Sequence, residues 1–174
     1  YSPILSLREV WNVQKALRTL PFDKPLQTAG FQLLQQLFTY IQSLSNVTQI
    51  IKHRKCSTVP LDISYFLNFH RQLDRFVLRY IRSYLQHTTH PPPPHDPLLR
   101  FSSQLRWFCS VLENSESSEF SYVYDAEKGL LKILCKSAAP KLAAQMKCFY
   151  AVIAQSATLS PLAYFRDMLG LPPT

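Results

Sequence analysis

Apolar residues recur at steps of three and four through the first two thirds of the chain, and this spacing predicts a series of amphipathic helices. The expected helices cover about 6–20, 30–53 and 63–87, with a further helix from Asp96 onward. Ser6 and Glu9 have the spacing of a capping box. Asp96 followed by Pro97 is typical of a helix N-terminus. Residues 1–118 are therefore predicted to form a helical domain.

After a polar break at 114–118 the pattern changes to short apolar runs, which are typical of strands. Residues 119–125 alternate between apolar and polar positions, and residues 130–135 form the predicted return strand of a hairpin. A helix is expected over 139–149, and Val152 begins a short apolar run that suits a strand buried on both faces. This strand–helix–strand order predicts a parallel pair with a right-handed crossover.

The last part of the chain is predicted to be a strand, a small polar loop and a helix. Pro161 suits the first turn of that helix, and Gly170 is a typical C-terminal stop. In open α/β sheets, ligands and moving parts meet at such strand–loop–helix connections. Residues 119–174 are therefore predicted to be the end of an α/β domain, so that the whole chain is mainly α with a small C-terminal α/β part.

Composition limits the chemistry that the chain can carry. Hydrophobic residues make up 47% and charged residues 17%, which is typical of a globular rather than a disordered protein. With only 3 glycines, neither a G-x-x-x-x-G-K-[ST] loop nor a G-x-G-x-x-G turn is present. Three histidines flank the proline run 91–94, but only Asp96 joins them at ligand spacing, so a solvated loop is expected and no metal site is predicted.

The formal net charge of +8 indicates an anionic partner, nucleic acid first and an acidic membrane second. Most of the excess lies in residues 1–118, which hold 13 Lys and Arg against 7 Asp and Glu. Four arginines at steps of four, four and three share one side of the third predicted helix. The candidate DNA-backbone contacts are Lys52, Arg54, Lys55, Arg71, Arg75, Arg79 and Arg82. The alternative is a solvated helix face on which Asp74 pairs locally.

A short stretch near the C-terminus resembles a helicase motif. Motif III of the XPD/DinG family of iron–sulfur DNA helicases is similar to the run Ser156-Ala157-Thr158-Leu159-Ser160-Pro161, which Leu169-Gly170-Leu171 follows. The predicted strands and helix before this run follow the order of that family, so the specific resemblance covers about residues 119–171. Residues 1–118 agree in being helical and basic, as the inserted Arch domain of the family is.

The resemblance implies an ATP-dependent DNA helicase that unwinds with 5′-to-3′ polarity. In this family motif III touches the nucleotide-site carboxylates and the second motor domain, which implies that Ser156, Ala157 and Thr158 couple ATP hydrolysis to DNA movement. The Arch-like region would form one wall of a passage for single-stranded or forked DNA. The other implied partner is the remainder of the same helicase chain.

The chain departs from the family pattern in ways that predict no ATPase activity of its own. It has Lys136 and Ser137 where the family commonly has an acidic residue, and it has neither a Walker A loop nor a D-E-A-H-like box. Its four cysteines are 53, 26 and 13 residues apart, unlike a compact iron–sulfur set. In the family the ATP-binding loop and the cluster precede the Arch. ATP, Mg²⁺ and a 4Fe–4S cluster are therefore implied for the full-length protein, and none is expected to bind this fragment.

Two other classes of protein fit parts of the pattern. A secreted four-helix cytokine-like bundle fits the length, the helices and the even cysteine count, and it demands paired cysteines. A helical protein-interaction module without enzymatic activity fits if the similarity at 156–158 is a coincidence. No secretory signal is visible and no apolar run is long enough to span a bilayer, which favours a reduced, cytoplasmic setting, or the nucleus in a eukaryote.

Overall fold

The computed structural model describes residues 2–19, 24–48, 56–88, 90–114, 119–151, 153 and 160–171. The helices within these ranges are α1 (Leu7–Thr19), α2 (Lys24–Thr48), α3 (Ile63–Thr88), α4 (Pro97–Glu113), α5 (Ala139–Met146) and α6 (Leu162–Leu169). The strands are β1 (Ile4–Ser6), β2 (Cys56–Thr58), β3 (Phe120–Asp125) and β4 (Leu130–Cys135). The chain is thus mainly helical with a small antiparallel sheet.

The chain divides into two compact units. The N-terminal unit comprises Tyr1–Ser115 and Tyr122–Leu134, and the C-terminal unit comprises Glu116–Ser121 and Cys135–Thr174. Most of the β3–β4 hairpin belongs to the N-terminal unit because its strands pair with β1 and β2, which lie in that unit. The assignment of residues 119–174 to the end of a motor domain stays a prediction.

The four long helices of the N-terminal unit bury the apolar stripes that the sequence predicts. Helix α1 packs on α2, and α3 packs on α4. The buried residues of α3 are Phe66, Phe69, Leu73, Phe76 and Tyr80, and those of α4 include Leu98, Phe101, Leu105, Phe108 and Leu112. Complete burial of one large apolar side chain contributes about 1.5–3 kcal/mol to folding. The N-terminal unit therefore has a hydrophobic core of its own.

The four strands form one sheet in the order β1-β4-β3-β2. The central hairpin of β3 and β4 confirms the sequence prediction, whereas the two edge strands were not predicted. Strand β1 pairs with β4 so that Leu5 lies opposite Leu131, and β2 pairs with β3 so that Ser57 lies opposite Tyr124. Strands of three residues carry too little alternation to be recognised locally. They become strands because the hairpin offers them unpaired backbone groups at its two edges.

Helix N-termini agree with the sequence at α4 and differ from it at α1. Asp96 caps α4 as predicted. At α1 the Ser6 Oγ accepts a hydrogen bond from the Arg8 N–H at 3.2 Å. Glu9 Oε1, however, accepts from Gln104 Nε2 on α4 at 3.1 Å. The carboxylate of Glu9 therefore contacts α4. The described hydrogen bonds do not include the return bond from the Ser6 N–H to Glu9 that a capping box requires.

The C-terminal unit contains two short helices in which no residue is buried. Helix α6 ends where predicted, because Gly170 adopts the left-handed conformation with φ 68°. The Leu171 N–H then donates to the Arg166 carbonyl at 3.0 Å. Val152 and residues 154–159, where the next strand is predicted, lie outside the described residues. The parallel pair stays a prediction, since the described strands pair in antiparallel fashion.

Candidate nucleic-acid interface

The four arginines predicted on the third helix lie on the solvent side of α3. We call them the arginine face; its members Arg71, Arg75, Arg79 and Arg82 are all exposed. At about 100° per residue they occupy an arc of about 80°, opposite the buried residues of the same helix. They extend over about 16 Å of the helix axis. The sequence predicted which side of the helix they share, and the structure adds that this side is accessible.

The arginine face is not neutralised by the carboxylate that the sequence offered as its partner. Asp74 Oδ2 lies 3.4 Å from His70 Nε2, and Asp74 Oδ1 lies 3.5 Å from Arg106 Nη2 on α4. Among the residues that the structure describes, no member of the arginine face forms an ion pair. Asp74 therefore pairs locally with His70 on its own helix, as the alternative expected, and also with Arg106 on α4, so its described partners lie outside the arginine face. The four guanidinium charges remain available to an anion.

A groove next to the arginine face adds another positive charge. It has a volume of about 570 Å³ and lies between the start of α2 and the second half of α3. Its described polar lining consists of Lys24, Arg79, Arg82, Ser83 and Gln86, which include no carboxylate. Cations together with neutral hydrogen-bonding groups are suited to phosphate oxygens. Sequence analysis missed Lys24 because it expected α2 to begin near residue 30, and a lysine between two prolines gives no signal of its own.

The aromatic residues of α3 and α4 differ in their accessibility. Tyr80 is fully buried, and its hydroxyl donates to Asp96 Oδ2 at 2.5 Å. Burial, followed by this hydrogen bond, raises the pKa of Tyr80 far above its ordinary value. Tyr65 stacks on Tyr40 with 4.0 Å between the ring centroids. Trp107 is 53% exposed. Tyr80 is thus a core residue, as its helical spacing favoured, and Trp107 is an accessible ring.

Two groups of candidate residues lie outside the described residues. The first is the basic cluster Lys52, Arg54 and Lys55 after α2, and the second is the motif III-like run Ser156, Ala157 and Thr158. Both assignments stay predictions from the sequence. The structure thus brings together the part of the predicted DNA-contact set that lies on α3, with Lys24 added to it.

The described thiols and histidines are further candidates for metal ligands and nucleophiles. Within the described ranges no group of three His, Cys, Asp or Glu residues could hold a metal ion. The cysteines are unpaired, and Cys109 is the buried one. Burial raises the pKa of Cys109 to about 12, with smaller contributions from Glu113 and Asp74, so its thiol is not nucleophilic at neutral pH. The described residues do not fit an iron–sulfur cluster. None of the helices among them is long and apolar enough to cross a bilayer.

No protein-family model and no curated protein matches this chain. The features that bear on the function of the chain are therefore the arginine face, the adjoining groove and the resemblance of residues 156–161 to motif III.

Proposed function

We propose that this chain is part of an ATP-dependent 5′-to-3′ DNA helicase of the XPD/DinG type. Residues 1–118 correspond to an Arch-like region, and residues 119–174 correspond to the end of the first motor domain. The arginine face binds the phosphate backbone of single-stranded DNA, and the run 156–158 relays the state of the nucleotide to the strand. ATP and Mg²⁺ bind elsewhere in the full-length helicase, so this chain alone binds DNA without hydrolysing ATP.

The arginine face is the observation that carries the proposal. When a phosphate chain binds, exposed guanidinium groups without carboxylate partners release counterions, and this release favours association. Phosphate contacts carry no base-sequence information, and a translocating helicase needs that property because it moves over any sequence. The groove that contains Lys24 extends the same chemistry from α3 to α2.

The surface of the C-terminal unit supports the proposal that more of the same helicase chain packs against it. Its exposed large apolar side chains are Phe149, Tyr150, Ile153, Leu162, Tyr164 and Met168. Because no residue of α5 or α6 is buried, the described part of these helices has little hydrophobic burial to offset the entropy of ordering the chain. Exposed apolar side chains of this kind mark surfaces that bind other protein. In the proposal that protein is the rest of the motor domain.

The coupling role of the run 156–158 is tested in the full-length helicase. Hydroxyl groups at the end of a strand can hold two moving groups in register by hydrogen bonds, and Ala157 keeps their approach close. Thr158→Ala should leave ATP hydrolysis intact and lower the number of base pairs unwound per ATP. Unwinding and phosphate release are measured in the same reaction. An unchanged ratio of the two would refute the role given to Thr158.

The DNA contacts are tested by titrating the 174-residue chain with a fluorescent dT oligonucleotide at several salt concentrations. Each phosphate contact of a single strand contributes about 0.7 to the slope of log affinity against log salt. Replacing the whole arginine face by glutamine should therefore lower that slope by about 3. The matched control replaces four exposed cations that lie outside the face, namely Arg8, Arg100, Lys128 and Lys147.

The two variants remove the same number of positive charges from different parts of the surface. A larger loss of affinity and of salt slope in the arginine-face variant supports the proposal, whereas equal losses in both would show only that the chain is basic.

The upstream part of the gene gives an independent test. It should encode a Walker A loop, four closely spaced cysteines and a D-E-x-H box, and a gene without them would contradict the helicase assignment.

A further inference from the structure

Helices α1 and α2 carry a second surface, made of aromatic rings with cations over them. It is a groove of about 430 Å³ lined by Trp11, Lys15, Arg18, Phe31, Gln35 and Phe38, among others. We call it the aromatic–cation groove. It was not predicted from the sequence, because its residues come from two helices whose packing brings them together.

The rings and the cations of this groove are paired. Lys15 Nζ lies 5.5 Å from the ring centroid of Trp11, and Arg18 Cζ lies 4.5 Å from that of Phe31. These distances are within the range of a cation–π interaction. Trp11 is nevertheless 53% exposed, and Lys15 and Arg18 are both exposed. The groove therefore presents accessible ring surface and positive charge at the same place.

The groove continues along α2 into a region rich in amides. A neighbouring groove of about 710 Å³ shares Phe31 and Gln35 with it and adds Gln32, Gln36 and Tyr40. Side-chain amides both donate and accept hydrogen bonds, as the edges of nucleobases do. Among the residues that the structure describes, no carboxylate lines either groove. The described part of the combined surface thus contains ring faces, amides and cations, and no negative side chain that would repel an anion.

We propose that the aromatic–cation groove binds the bases of single-stranded nucleic acid by stacking. A base stacks on Trp11, Lys15 and Arg18 contact the adjacent phosphates, and the glutamines of α2 contact base edges. Aromatic rings in a positively charged groove are the combination that single-strand binding uses without sequence preference. The inference rests on the proposed function, since it assigns to the same helical region a contact to bases in addition to the phosphate contacts of the arginine face.

An acidic peptide is the competing ligand, because it would also meet the cations. The amide-lined part of the surface favours the nucleic acid, since a carboxylate only accepts hydrogen bonds, whereas base edges, like the amides of Gln32 and Gln36, both donate and accept them. Charge alone therefore explains only the end of the surface that carries Lys15 and Arg18. Base stacking and base-edge hydrogen bonds explain both ends.

The experiment compares Trp11→Ala with Trp107→Ala in the 174-residue chain. These are the only two tryptophans, and each is 53% exposed, so the variants remove the same side chain at the same exposure. The ligands are a dT oligonucleotide of about 15 nucleotides and an abasic strand of equal length. Loss of one base–aromatic stack should weaken dT binding by about 5- to 150-fold in Trp11→Ala. Binding of the abasic strand should be unchanged in that variant, and Trp107→Ala should bind both ligands as the unmodified chain does.

Fluorescence gives a second readout at the site itself. In Trp107→Phe the only remaining tryptophan is Trp11, so the dT strand should quench its emission and the abasic strand should not. A dT affinity that is unchanged in Trp11→Ala would overturn the inference while leaving the arginine face intact. No oligonucleotide binding by any variant would overturn the proposed function as well. Quenching by a polyglutamate peptide equal to that by dT would assign the groove to an acidic peptide instead.

Discussion

In the N-terminal unit the apolar stripes of α1 to α4 are buried against neighbouring helices, whereas in the C-terminal unit no residue of α5 or α6 is buried. Both units contain amphipathic helices with the same kind of period. The difference between them is the presence of a partner for the apolar side. An amphipathic pattern thus determines which side of a helix seeks burial, and it does not determine what covers that side.

The two units also differ in the charge that their surfaces present. The arginine face and the Lys24 groove lie in the N-terminal unit, on the sides of α2 and α3 that the core leaves free. Both units expose some large apolar side chains, and those of the smaller C-terminal unit are Phe149, Tyr150, Ile153, Leu162, Tyr164 and Met168. In the proposed helicase the N-terminal unit therefore binds an anion, and the C-terminal unit binds more protein.

The largest expected effect is the loss of a core ring in the N-terminal unit. Phe66 is fully buried, and its ring centroid lies 5.3 Å from that of Phe108. Phe66→Ala should lower the free energy of unfolding by about 3–5 kcal/mol because it leaves a cavity. Leu162→Ala, at a position that is 71% exposed in the C-terminal unit, should change it by less than about 0.5 kcal/mol. Urea denaturation followed by circular dichroism measures both free energies of unfolding. Similar losses in the two variants would contradict the difference in burial between the units.

A buried hydrogen bond gives the next largest effect. Asp96 is 4% exposed, and Tyr80→Phe removes the hydroxyl that donates to its Oδ2. Asp96 Oδ2 then loses this donor away from water, while Oδ1 keeps its bond from the Leu99 N–H, so the free energy of unfolding should fall by about 1–3 kcal/mol. Tyr164→Phe removes an exposed hydroxyl of the C-terminal unit and is the control. A loss of the same size in both variants would mean that the bond to Asp96 contributes nothing.

The close packing of α2 gives a smaller effect. A Cβ at Gly30 would meet the buried ring of Phe76 and lie 2.9 Å from Leu17 Cδ1. Gly30→Ala gains about 1 kcal/mol of helix propensity but overpacks the core by about 1–3 kcal/mol. We expect a net loss of about 1 kcal/mol in the free energy of unfolding. Ala29→Gly, on the lining of the Lys24 groove, removes a methyl group without overpacking and separates the two contributions. A more stable Gly30→Ala chain would show that the rings of the core can move apart.

The smallest expected effect on stability at neutral pH comes from a buried thiol and a partly buried tyrosine hydroxyl. Burial raises the pKa of Cys109 from 9.0 to about 12 and that of Tyr65 from 10.0 to about 12, with Tyr40 adding to the latter. A group whose pKa is higher in the folded than in the unfolded state stabilises the fold while it is protonated. This stabilisation is complete at pH values below the unfolded-state pKa and is lost as the pH rises toward the folded-state pKa. The N-terminal unit should therefore lose stability between about pH 9 and 12. Cys109→Ala should reduce that alkaline loss.

The control for this prediction is Cys148→Ala, which removes an exposed thiol of the C-terminal unit. Urea denaturation is compared at pH 8 and at pH 10.5, values on either side of the ordinary thiol pKa of 9.0. An alkaline loss that is the same in Cys109→Ala and in the unmodified chain would show that the buried thiol is not its source.

Local patterns were sufficient for several features of the fold. The steps of three and four located the buried sides of α3 and α4, and Asp96 with Pro97 located the start of α4. Gly170 located the end of α6. Each of these features depends on residues within about one turn of each other, so the information is present in a short stretch of chain. The exposure of the arginine face, by contrast, needed the positions of the neighbouring helices.

The amino-acid sequence by itself determined the helices, the hairpin and the side of α3 on which the arginines lie, because periodicity and capping act between close neighbours in the chain. Tertiary structure alone decided that Asp74 binds Arg106 and that β1 and β2 become strands. It also decided that Trp11 and Phe31 share a groove. These pairings join residues distant in sequence, and nothing in either partner's local stretch specifies the other. They form because packing of the core brings the partners within the short range over which ion pairs, backbone hydrogen bonds and ring contacts act.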